Sequence, residues 1–223
     1  VSARVGASGA GLGSGARATL GLAFALGAFA GCARSAGQAS LQGDVPKAVQ
    51  VGAITLPEVH ADRGDSPFRL TPSAGHVLVV YFGYTTCPDV CPTTLSDLHR
   101  ALALLGDAAR RVDVAFVTVD RERDTPAQLA PYLDAFVAGG HALRPASDAQ
   151  LASAEQAFGA SSSISRSPGG DVEVSHTGTM YVVDAAGRIV VEWPFGSTPK
   201  VMAHDLGALL SGRAASAATS SAR

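Results

Sequence analysis

Two cysteines four positions apart, in Tyr84-Thr85-Thr86-Cys87-Pro88-Asp89-Val90-Cys91-Pro92, are the residues of this chain best placed to do chemistry. They follow an apolar run, Val77 to Tyr84, and precede leucines at helical spacing. That order sets both sulfurs at a strand-to-helix junction, where helix N-terminal amides lower thiol pKa values and favour thiolates. Thiolates serve soft metals and disulfide exchange equally. A thioredoxin-type oxidoreductase uses Cys-x-x-Cys, one residue shorter. A disulfide still closes across the longer spacing, so spacing alone leaves both chemistries open. Two thiolates under-coordinate a soft ion, however, and a third ligand has to come from elsewhere in the chain.

The elements that must position such a site alternate. Val77 to Tyr84 reads as a strand buried on both faces. Pro92 to Leu105 carries Leu95, Leu98, Leu102 and Leu105 on one helical face, and Gly106 stops it. Val112 to Val119 is a second strand. Thr125 caps a helix whose first residue is Pro126 and which runs through Phe136. Ser147 to Phe158 is a third helix. Thr179 to Val183 and Arg188 to Trp193 pair about Asp184-Ala185-Ala186-Gly187, and a last helix covers Pro199 to Leu210. The β-α-β start makes the first two strands parallel through a right-handed crossover. The expected fold is α/β and thioredoxin-like, a central mixed β-sheet flanked by helices.

His176, in Val174-Ser175-His176-Thr177-Gly178, is the candidate third ligand. In thioredoxin-like folds the loop before the Thr179 strand faces the cysteine pair, and thioredoxins place a cis-proline there. This chain has no proline between Pro168 and Pro194 and offers an imidazole instead. Two thiolates and an imidazole suit copper or zinc, and the soft sulfurs favour Cu(I). Three cysteines in all are too few for an iron–sulfur cluster.

Phe82 to Pro92, Val117-Thr118-Val119-Asp120 through Glu122-Arg123-Asp124-Thr125-Pro126, and His176 with Tyr181 and Asp184-x-x-Gly187 together resemble the SCO/SenC family over about Val51 to Leu210. The resemblance implies a thioredoxin-fold copper protein that assists cytochrome c oxidase assembly. Cys87, Cys91 and His176 then occupy the ligand positions for Cu(I) or Cu(II), and subunit II of the oxidase is the client. It implies a metallochaperone more than an enzyme, with thiol reduction of the client by Cys87 and Cys91 as a second role. The rivals are a periplasmic thiol-disulfide oxidoreductase or peroxidase without metal, and a copper sensor or buffer. Three positions depart from the family pattern. Thr86 stands where histidine is frequent and Arg121 where proline is common. Ser175 replaces an aspartate, which removes a possible orienting partner of the imidazole.

Residues 1–31 hold Arg4, Arg17, no acidic residue and an apolar stretch from Ala18 to Ala30, the pattern of a signal peptide. Phe29-Ala30-Gly31-Cys32 resembles a bacterial lipobox, with Cys32 as the lipidated residue and membrane anchor. The expected organisation is a signal peptide over 1–31, a flexible tether over 32–49, a copper-binding domain over 50–211 and a disordered tail over 212–223. The expected location is the extracytoplasmic face of the bacterial envelope. Without the leader, 15 Lys+Arg face 19 Asp+Glu with no basic run, so no nucleic-acid partner is expected. His60, His76, His99, His141 and His204 read as surface residues or local hydrogen-bonding groups, and Tyr81 and Tyr84 as core and rim packing. Asp120 and Asp124 either approach the metal or, in the favoured reading, Asp124 and Thr125 cap the following helix.

Overall fold

A computed structural model describes residues 40–47 and 49–212. The leader, the lipobox with Cys32 and the tail from residue 213 lie outside the described residues. In chain order the elements are β1 (Val49–Gln50), β2 (Thr55–Glu58), β3 (Ser66–Arg69), β4 (Val77–Gly83), α1 (Val90–Leu105), β5 (Val112–Thr118), α2 (Pro126–Asp134), β6 (His141–Leu143), α3 (Asp148–Phe158), β7 (Ser162–Arg166), β8 (Val172–His176), β9 (Met180–Val183), β10 (Arg188–Trp193) and α4 (Pro199–Leu210). The described residues build an eight-stranded sheet in the order β1-β10-β9-β4-β5-β6-β2-β3 and a separate β7-β8 ribbon.

The centre of the sheet follows from the sequence. All seven residues of β4 are buried, as a strand covered on both faces requires. It runs parallel to β5 in the register Gly83↔Thr118 and antiparallel to β9 in the register Tyr81↔Met180. Two strand exits and one strand entry therefore meet at the same edge: the loops leaving β4 and β5, and the loop entering β9. That is the edge at which open α/β sheets carry their ligands. α1 lays Cys91, Leu95, Leu98 and Ala101 onto the sheet. Pro92 sits in its first turn, where a missing N–H breaks no intrahelical bond. Thr125 and Gln128 close a capping box at the start of α2.

The sheet is wider than the four strands legible in the sequence. β2 and β3 pair through Pro57 and Pro67, residues that cannot donate to a ladder and that mark an edge. β1 and β6 are two and three residues long, too short for a period to show. Gly52 and Gly187 explain how β1 reaches β10. A side chain on Gly52 would come within 2.6 Å of the Gly187 backbone, and Gly187 has φ +74°, so both positions need glycine.

The stretch expected as a free tether is laid onto the body over residues 41–44. The Gln42 and Gly43 N–H groups donate to the buried Asp205 carboxylate at 2.7 and 2.9 Å. Asp44 bridges to Glu192 of β10, and Leu41 packs against the core. The small, polar composition that reads as a flexible linker fits an extended strap too, because Gly43 lies on the Trp193 ring where a side chain would clash at 2.6 Å. Among the described residues no helix is long and apolar enough to cross a membrane.

Candidate metal centre

Cys87 lies in the loop leaving β4, Cys91 in the first turn of α1, and His176 at the end of β8, just before the chain enters β9. Their Sγ, Sγ and imidazole nitrogen atoms fall within 4.8 Å of one another. A metal at the ~2.0–2.3 Å bond lengths usual for nitrogen and sulfur ligands needs three donors about 3.5–4 Å apart. The triad is thus close to preformed. Cys91 is fully buried, Cys87 nearly so and His176 half-buried, which opens the site to solvent on the Cys87–His176 side.

The fold fixes the chemistry of each donor. His176 Nδ1 faces the Thr177 carbonyl at 3.1 Å, and Nε2 faces Cys91 Sγ at 3.3 Å. A carbonyl only accepts, so Nδ1 carries the proton and the Nε2 lone pair points at the sulfurs. Burial lowers the His176 pKa, outweighing the hydrogen bond to Thr177, and keeps the ring neutral and able to ligate. Ser175, which replaces a possible orienting aspartate, is therefore no loss to ring orientation: the backbone does that work. Tyr81 and Tyr84 stand edge-on to the imidazole at centroid distances of 6.1 and 5.7 Å.

The Cys91 thiol does not follow the simple helix-terminus expectation. The first-turn N–H of Cys91 donates to Cys87 Sγ at 3.3 Å, so that sulfur does receive a helix amide. The Cys91 thiol itself is pushed up to about 12, chiefly by burial, with the hydrogen bonds and charge of Cys87 adding to the rise. Removing water from the thiolate outweighs the hydrogen bond from the Tyr84 backbone that favours it. Cys91 is a thiol until something takes its proton. Gly83 makes room for it, since a Cβ there would sit 3.0 Å from Cys91 Sγ and 2.8 Å from the Phe116 ring.

Asp124 is fully buried and caps nothing: the α2 cap is Thr125. Its carboxylate accepts from Thr85 N–H at 3.1 Å, from Thr85 Oγ1 at 2.5 Å and from Thr118 Oγ1 at 2.5 Å. It ties the cysteine loop to the end of β5. Asp120 pairs with Arg123, whose guanidinium lies 6.0 Å over the Tyr84 ring, and neither aspartate joins the triad. The remaining histidines have local partners: His60 with Ser66, His76 with Asp113, His99 with the Phe136 carbonyl, His141 with Glu58 and His204 with Asp205. Arg121 is held by the Pro145 and Ala146 carbonyls and Asp148, away from the sulfurs.

The β7-β8 ribbon is the functional element that the sequence reading missed. It presents His176 opposite Ser162, and the Thr177 N–H to Ser161 carbonyl bond of 2.9 Å closes its base. The Pro168-Gly169-Gly170 turn was the available hairpin signal.

Comparison with known proteins places this geometry in a group. The SCO1/SenC family profile matches residues 61–211. Protein SenC of Rhodobacter capsulatus is 30% identical over 183 residues, which cover 82% of this chain and 77% of SenC. The structure of Bradyrhizobium japonicum ScoI with copper bound superposes with a TM-score of 0.59 at 30% identity, covering 70% of this chain and 97% of ScoI. Apo Sco1 of Thermus thermophilus gives a TM-score of 0.57 at 32% identity, over 77% of this chain and 96% of that protein.

Proposed function

This chain belongs to the SCO1/SenC family, and from that premise we propose that it is a copper chaperone for cytochrome c oxidase assembly that binds the metal through Cys87, Cys91 and His176. The observation that carries the reading is the convergence of two sulfurs and one neutral imidazole lone pair at a single sheet edge. Those donors are soft or borderline, the set that selects Cu(I) and also accepts Cu(II). Three ligands at a partly open site suit transfer, since an incoming thiolate or imidazole displaces them one at a time. The protein handles metal; it is not read as a catalyst.

The client in this reading is the copper centre of oxidase subunit II, reached from the membrane surface through a lipid on Cys32 after removal of residues 1–31. The 32–49 stretch then serves as a tether only in its first part, because residues 41–44 are strapped to the domain. Reduction of the client's cysteines by Cys87 and Cys91 remains a compatible second role, as both are free thiols.

His176→Ala separates the chaperone from a metal-free thiol enzyme. Disulfide exchange needs only the sulfurs, whereas the copper site needs the imidazole. Expressed in cells lacking the native protein at limiting copper, the variant is expected to abolish oxidase copper loading while Cys87 and Cys91 still cycle between thiol and disulfide. Normal oxidase activity in that variant would reject the chaperone reading. Metal analysis is expected to give one copper per chain, lost in Cys87→Ser and Cys91→Ser.

A further inference from the structure

Tyr81 is a fully buried residue of β4, and its hydroxyl has no hydrogen-bond partner. Buried polar atoms are rarely left this way, and the exceptions concentrate at functional sites. The hydroxyl lies beside the Cys91 thiol and Thr94. Thr94 donates to the Val90 carbonyl at 2.7 Å, and its oxygen stands outside hydrogen-bonding geometry of the tyrosine. The Cys91 S–H has a better acceptor in the lone pair of His176 Nε2 at 3.3 Å. The tyrosine is thus left facing a neutral thiol sulfur, a weak acceptor.

We infer that the Tyr81 hydroxyl is a positioning residue whose acceptor is made by copper binding: it donates a hydrogen bond to the Cys91 sulfur once that sulfur ligates the metal. The inference rests on the copper reading given above and adds a residue that reading does not use. When the ion enters, the Cys91 S–H bond breaks, the proton leaves to water, and the freed sulfur lone pair forms the Cu–S bond. No atom changes oxidation state. The sulfur now carries negative charge shared with the metal, and hydrogen bonds to a charged acceptor are roughly twice as strong as neutral ones. The orphaned donor of the metal-free site becomes a satisfied donor of the loaded one. Tyr81 also stands 5.9 Å from the Phe116 ring and 6.1 Å from the imidazole, so its ring packing is separable from its hydroxyl.

Tyr81→Phe removes the hydroxyl and keeps the ring. In the full chain, metal-free thermal unfolding is expected at the parent temperature or above it, because an unpartnered polar atom has been deleted. Copper affinity, measured by competition with a chelator, is expected to fall about tenfold, the size of one charge-assisted bond. In the Cu(II)-loaded protein the sulfur-to-copper charge-transfer band is expected to move to lower energy, since a sulfur without its donor gives up an electron more readily. A variant with parental affinity and an unmoved band would overturn the inference. So would one that fails to fold or is destabilised without metal, because the hydroxyl would then have a partner in the empty site. Copper retention by the parent chain and by Cys91→Ser is measured alongside. A parent that binds no copper, or binds it without Cys91, defeats the chaperone reading itself and is told apart in that way from a failure confined to Tyr81.

Discussion

At the scale of single residues, Cys91 links burial to metal affinity. Its thiol is raised from 9.0 to about 12 by burial, while the His176 imidazole is held neutral by the same cause. Copper must therefore displace a proton from Cys91 at any physiological pH, and apparent affinity is expected to rise about tenfold per pH unit for each thiol proton released. Chelator competition between pH 6.5 and 8.5 reads this slope, and Cys91→Ser is expected to lose that proton's share of it along with most of the affinity. Stability carries the opposite sign in the metal-free protein. A folded pKa above the unfolded one stabilises fully below the ordinary thiol value, and that contribution is lost as pH climbs from about 9 toward about 12. Denaturation of metal-free protein across that range is expected to show the fall, and Cys91→Ala to remove it.

At the scale of elements, the site depends on three loops held in register, and Asp124 is the clasp between two of them. Asp124→Ala leaves the Thr85 N–H and the Thr118 hydroxyl buried without their shared acceptor. The expected loss is about 2–4 kcal/mol of unfolding free energy, the range for stranding buried donors of a charge-assisted network. Urea denaturation measures it. Asp124→Asn, which keeps one oxygen, is expected to lose less. The sequence showed β4, β5, β9, β10 and all four helices because each carries a period or a turn signal long enough to appear. It missed the ribbon that carries His176, since β7 and β8 are half-exposed and polar, with little burial to impose an alternation. It also read Asp124 as sharing the α2 cap with Thr125, a place to which an aspartate is suited. Thr125 is the cap, as read, and Asp124 takes no part because its carboxylate is held by groups 39 and 6 positions away.

At the scale of the whole molecule, the segment leading into the domain is part of the fold. Asp205 is fully buried and accepts from Gln42 N–H, Gly43 N–H and, at 3.0 Å, Trp193 Nε1. A chain shortened to begin at Val49 uncovers Trp193 and leaves that carboxylate with fewer donors. It is expected to melt several degrees below a chain beginning at residue 40, at about 2–4 °C per kcal/mol lost for a domain of this size. Differential scanning calorimetry of the two forms checks this. Asp205→Ala in the longer chain is expected to give a comparable loss and to speed proteolysis around residue 45.

The sequence by itself determined the sulfur pair at a strand-to-helix junction, the histidine that replaces a proline, and the α/β order that brings them to one edge. These are local facts, written in spacing, periodicity and turn residues. Only the tertiary structure decided which imidazole nitrogen is free, that Cys91 is a protonated thiol rather than a ready thiolate, that Tyr81 lacks an acceptor, and that residues 41–44 bind the body. Each depends on desolvation or on a partner far along the chain, from the 85 positions between Cys91 and His176 to the 163 between Gln42 and Asp205. Those separations are closed only by the packed sheet.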